Sequence, residues 1–154
     1  MGSMTVRKAL SKLKSPRADD RVHAAQYLYD AAEGCFVGDS SPQEVADAAV
    51  EALTVETEDE PREELANLLL ELASSNHDIM VNWQALAKLL PELSGNVLAH
   101  LVCVLGFSRS NKYLPIIEAY INDSDPSVQE AALSAQGEIR AALERGGTAG
   151  GNRT

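Results

Sequence analysis

Aromatic residues are scarce in this chain. They make up 5% of its 154 residues, with a single Trp, so any core must be packed from aliphatic side chains. Cysteine is nearly absent. Cys35 and Cys103 lie far apart in apolar contexts, which reads as two buried free thiols in a cytoplasmic protein rather than a disulfide framework or a zinc site. No apolar run approaches the roughly 20 residues that cross a bilayer. The N-terminus lacks the basic-then-apolar layout of a secretory signal. Met1-Gly2-Ser3 ahead of Met4 reads as an expression remnant, and residues 1–4 are set aside. No segment alternates with β-branched enrichment, so no strand is expected.

What is present is aliphatic and acidic. An apolar content of 45% argues against a disordered chain, and the length suits one domain. The net charge is −10. Nucleic acid is excluded as a partner because phosphate binding needs clustered Lys and Arg. An anionic membrane surface is excluded for the same reason. A basic protein is permitted.

Apolar residues recur at helical spacing almost throughout. Helices are expected at Val6–Leu13, from Asp19 or Asp20 to Glu33, from Pro42 to Thr54, from Pro61 onward, and after Asn82. Three more follow: one from Ser94 or Gly95, one from Asn111 to Ile121, and one from Pro126 to Glu144. Ser41-Pro42 and Asp125-Pro126 each place a capping side chain before a first-turn Pro. Gly-rich residues 145–154 read as a flexible tail. Eight helices joined by short turns form four consecutive pairs. The second helices superpose as VHAAQYLYDA, EELANLLLEL, VLAHLVCVLG and VQEAALSAQG, with steps of 40, 35 and 31 residues between Ala25, Leu65, His100 and Ala131.

The fourth pair carries Asp125-Pro126-x-Val128-x-x-Ala131-Ala132-x-x-Ala135-x-Gly137-x-Ile139. This pattern resembles the second helix of a HEAT-like (armadillo-type) repeat, and the resemblance extends over residues 5–144. It implies an all-α, right-handed α-solenoid of about four antiparallel helix pairs in a single domain. It also implies partner binding along the second helices. Small residues in such a helix let a neighbour approach closely, so Ala131, Ala132, Ala135 and Gly137 raise the question of what packs on them.

The acidity is concentrated. Between Glu44 and Asp78 stand eleven acids and one base, Arg62, a net of −10 that equals the charge of the whole chain. The N-terminal end is basic, with Arg7, Lys8, Lys12, Lys14, Arg17 and Arg21 against Asp19 and Asp20. Acids near a helix start favour its dipole, yet like charges four apart repel. The candidate partner-binding residues are Asp59, Glu60, Glu63, Glu64, Asn67 and Glu71, on a second helix.

No catalytic, metal or cofactor pattern is recognised. His23, His77 and His100 are scattered, and the Asp123-Ser-Asp125 stretch lacks the Gly and Glu of a calcium loop. His100 and Trp83 read as packing residues. The function expected is non-catalytic protein binding by a monomer. Its most specific form is an acidic immunity-type protein that neutralises a basic toxin, such as a nuclease. A general scaffold or assembly factor is the alternative, and an enzyme on a HEAT-like fold is less favoured.

Overall fold

The computed structural model describes residues 3–34, 41–75 and 78–146. Among them lie eight α-helices, two 3-10 turns and no strand. The chain divides into two compact units, one ending at Asn82 and the other beginning at Trp83.

In the first unit, α1 (Val6–Lys12) starts where the Thr5 hydroxyl accepts the Lys8 amide. Ser15-Pro16 ends it, as the sequence indicates. Helix α2 (Ala18–Glu33) has Arg17 at its N-cap, without a side-chain cap. Asp19 and Asp20, expected as caps, stand instead in the first turn. Asp20 reaches back to the preceding turn and accepts the Ser15 hydroxyl at 2.7 Å. Helix α3 (Pro42–Val55) is capped by Ser41, whose hydroxyl accepts the Glu44 amide. Helix α4 (Asp59–Ser75) begins two residues before Pro61. A Pro in the first turn lacks only an amide that would have no helical partner.

Two hairpins result, α1 with α2 and α3 with α4, and the broadest contact joins α2 to α4. Val22, Ala25, Leu28 and Ala32 are buried on α2, and Leu65, Leu68, Leu69 and Leu72 on α4. Each of these fully buried leucines contributes about 1.5–3 kcal/mol of burial. Arg7 pairs with Glu44 and Lys14 with Glu51, both 37 residues on, so α1 and α3 run parallel. Arg21 to Glu58 and Gln26 to Glu64 give offsets of 37 and 38, so α2 and α4 do too. Gln43 binds both the amide and the carbonyl of Met80, which ties the end of this unit to α3.

The second unit opens with α5 (Trp83–Leu89). Pro91 ends it in a 3-10 turn, Leu90–Glu92. Helix α6 (Gly95–Gly106) is buried on most sides, as an almost wholly apolar helix must be. The single helix expected from Asn111 to Ile121 is instead a 3-10 turn, Asn111–Tyr113, followed by α7 (Leu114–Glu118). Pro115 has no amide to offer the Asn111 carbonyl, so the α-helical ladder cannot begin there. Helix α8 (Pro126–Arg145) is capped by Asp125, which accepts both the amide and the hydroxyl of Ser127.

Helices α6 and α8 pack closely along each other. Ala131, Ala132, Ala135 and Ile139 of α8 are buried, as the repeat pattern implies. Gly137 departs from it: it is exposed, and a Cβ there would meet nothing within 4 Å. The close approach is made by Gly106 of α6 against Ala135. An α8 glycine two residues past Ala135 points to another side of the helix, because successive residues turn by roughly 100°.

Candidate functional site

Carboxylates of the acidic block fall into two groups, and their partners separate them. Glu44 takes two hydrogen bonds from Arg7, at 2.7 and 3.2 Å. Glu51 lies 3.7 Å from Lys14. Glu56 is buried at 6% exposure and takes a two-pronged pair from Arg21, at 2.8 and 2.9 Å. The same guanidinium reaches Glu58 at 3.2 Å and the Ser15 carbonyl at 2.9 Å. Basic residues of the N-terminal hairpin therefore pair with Glu44 and Glu51 of α3 and with Glu56 and Glu58 of the turn after it.

Burial pushes the Glu56 carboxyl up, but the hydrogen bonds from Arg21 and from the Glu58 and Thr57 amides outweigh it. Glu56 therefore titrates below the ordinary carboxylate range. Hydrogen bonding to Glu56 in turn raises the Arg21 guanidinium above its ordinary value.

Helix α4 is different. Asp59, Glu60 and Glu63 are exposed, while Glu64, Asn67 and Glu71 are half-buried. Helical spacing sets Glu60, Glu64, Asn67 and Glu71 on one stripe opposite Leu65, Leu69 and Leu72. Glu64 accepts Gln26 Nε2 at 3.2 Å, and Glu71 accepts the Ser75 hydroxyl at 2.7 Å. Among the described residues none of the five α4 carboxylates forms an ion pair.

The neighbouring stripe on α2 went unrecognised in the sequence. Asp19, His23, Gln26, Asp30 and Glu33 are its exposed residues, and the Gln26–Glu64 bond sets it beside the α4 stripe. Tyr29 lies between them. Burial, then the charges of Glu33, Glu71 and Asp30, pushes its hydroxyl above the ordinary value. The signal was present, since 19, 23, 26, 30 and 33 step by three and four. That these residues extend the α4 stripe depends on packing between helices about 40 residues apart. The joined α2–α4 face presents Asp19, Asp30, Glu33, Glu60, Glu63, Glu64 and Glu71, with His23 as its one titratable base.

Elsewhere, Trp83 and His100 are half-buried, and a His100 ring nitrogen meets the Asn96 carbonyl. Cys103 is a half-buried free thiol whose titration is raised by burial and then by Glu130. Cys35 and His77 lie outside the described residues. Among the described residues no three His, Cys, Asp or Glu side chains are placed to hold a metal ion. Nor is any of their helices long and apolar enough to cross a membrane. The chain matches no protein-family model and no curated protein sequence.

Proposed function

We propose that the chain is a non-catalytic protein-binding module whose α2–α4 face takes a basic partner. The observation that carries this reading is the division of the acidic block. Glu44, Glu56 and Glu58 are matched by Arg7 and Arg21, so they serve the fold, and Glu51 is matched more loosely by Lys14. Seven carboxylates of the block remain, and five of them, Asp59, Glu60, Glu63, Glu64 and Glu71, stand on α4. Asp30 and Glu33 of α2 add to them. A face kept acidic only for hydration would be expected to mix signs, because like charges at helical spacing repel.

In its most specific form the module is an immunity-type protein that neutralises a basic toxin, such as a nuclease. The carboxylates would occupy the positions that substrate phosphates otherwise take. Charge speeds the encounter, and contacts desolvated on docking hold the complex.

The architecture we propose is HEAT-like: helix pairs repeated along a right-handed solenoid. In support, the side-chain bonds that join one helix pair of the first unit to the segment after it keep a nearly constant separation of 35–38 residues, from Arg7–Glu44 to Gln43–Met80. Successive repeats packed in register produce that constancy.

The test is affinity capture from the source lysate with wild type and with a Glu60→Lys, Glu63→Lys, Glu64→Lys variant, at low and high salt. One basic protein held by wild type at low salt and lost with the variant is the expected result. Its purified form should then bind wild type with an association rate that falls with salt. Equal retention by both proteins would reduce the acidic face to a hydrated surface.

A further inference from the structure

A groove of about 470 Å³ opens at the C-terminal ends of the parallel helices α1 and α3. Its size falls in the range of small-ligand sites. Leu10, Leu13, Ala48, Ala52 and Val55 supply an apolar wall, and Val55 is 75% exposed at its rim. Arg21 closes the polar end, already bonded to Glu56, Glu58 and the Ser15 carbonyl. Lys14 and Glu51 meet there at 3.7 Å, a longer ion pair than the others among the described residues, with side chains 76% and 70% exposed.

We infer that this groove holds the side chain of a basic partner, a Lys or Arg whose cation displaces Lys14 from Glu51. Three features select that chemistry. The five apolar residues match the alkyl stem of such a side chain. Glu51 is held only by a long, exposed contact, which a competing cation opens at little cost. The negative ends of the α1 and α3 dipoles point to the same region and favour a cation over an anion. Arg21, which would attract an anion, is saturated by two carboxylates. The groove gives the basic partner of the proposed function a second point of attachment. The partner's identity rests on that reading, whereas the groove's chemistry can be probed without it.

The probe is n-butylguanidinium, followed by amide chemical shifts in the intact chain, with n-butanol and butyrate as controls of equal stem. The cation should shift Leu13, Ser15, Ala52 and Glu56 saturably and more tightly than butanol, with butyrate weakest. Glu51→Gln should weaken the cation about threefold, the scale of an exposed ion pair. Because Glu51 is exposed, that variant keeps the fold. The Glu60→Lys, Glu63→Lys, Glu64→Lys variant should leave groove binding nearly intact. Equal binding of all three probes, absence of saturation, or indifference to Glu51→Gln would overturn the proposal. Shifts confined to α4 would also overturn it, while leaving the acidic-face reading standing.

Discussion

A Cβ built on Gly106 falls 2.7 Å from the Cβ of Ala135 and 2.8 Å from its Cα. Real side chains do not approach so closely, so α6 and α8 are held at a distance that only glycine allows. Gly106→Ala must push the helices apart or tilt one of them. Overpacking of this kind costs about 1–3 kcal/mol. Shortening the opposing residue does not cure it, because the Ala135 Cα is almost as near as its Cβ. The double variant Gly106→Ala, Ala135→Gly should therefore remain less stable than wild type in chemical denaturation. Gly137→Ala should be neutral or slightly stabilising, since a Cβ there meets open space.

These two glycines show where the sequence is legible. Punctuation fixed by chemistry next door was readable: Ser41-Pro42 and Asp125-Pro126 cap the helices they announce. Helical spacing gave the buried leucines of α4. Choosing Gly106 over Gly137 as the contact needs the register of α6 against α8, which no local pattern encodes. The acidic block was visible, but its division was not. Glu44 and Glu56 find Arg7 and Arg21 across 37 and 35 residues, a tertiary relation. Asp30 and Glu33 were missed because their stripe lies outside the acidic block and joins it only by packing. Pro115 misled for another reason: a first-turn Pro fits an α-helix start, yet here its missing amide leaves a 3-10 entry.

The Arg21–Glu56 pair makes a pH-dependent prediction. Its side chains are 15% and 3% exposed, and removing one buried partner strands the other. Glu56→Gln should cost about 3 kcal/mol at neutral pH. The native Glu56 carboxyl titrates below its unfolded value. Its contribution is therefore complete above the unfolded pKa, near 4.5, and is lost as pH falls through the lower folded value. Urea unfolding of wild type and Glu56→Gln across pH 3–7, a range set by ordinary carboxylate titration at about pH 4, should give curves that converge at the acid end. A constant gap would mean the pair does not act through charge. Replacing Arg21 and Glu56 together by Met and Leu should cost less than Glu56→Gln alone, because no charge is left buried.

Arg109 has φ 51°, the one described non-Gly residue in the left-handed region. Its guanidinium stands 5.7 Å from the Phe107 ring centroid and its Nε 3.2 Å from Glu138. Stacking and pairing offset a backbone conformation that L-residues resist. Arg109→Ala forfeits those contacts and keeps the strain, whereas Arg109→Gly forfeits them and relieves it. The Ala variant should be the less stable by about 0.5–1 kcal/mol. Equal stabilities in thermal melts would show that the turn relaxes to another conformation when the side chain is lost.

Charge reversal on α4 separates binding from folding. Glu60 and Glu63 are exposed, and Glu64 donates nothing to the core; its described contact is a hydrogen bond from exposed Gln26. Lys at all three positions keeps their mutual repulsion but turns repulsion from Asp59 and Glu71 into attraction, while the favourable placement of acids near the helix start is lost. Glu60→Lys, Glu63→Lys, Glu64→Lys should thus change stability by no more than about 0.5–1 kcal/mol, in either direction. Arg7→Ala, which breaks the exposed Arg7–Glu44 pair, should also cost less than about 1 kcal/mol. The two variants diverge in recognition. Reversal on α4 should slow association with a basic partner steeply at low salt, with a smaller effect as salt screens the face. Arg7→Ala leaves that face unchanged and should bind as wild type does. If both variants lost binding equally, charge would not govern the interaction, because Arg7→Ala makes the chain more negative and the α4 reversal makes it less so, and the arrangement of carboxylates along α4 would carry no specificity.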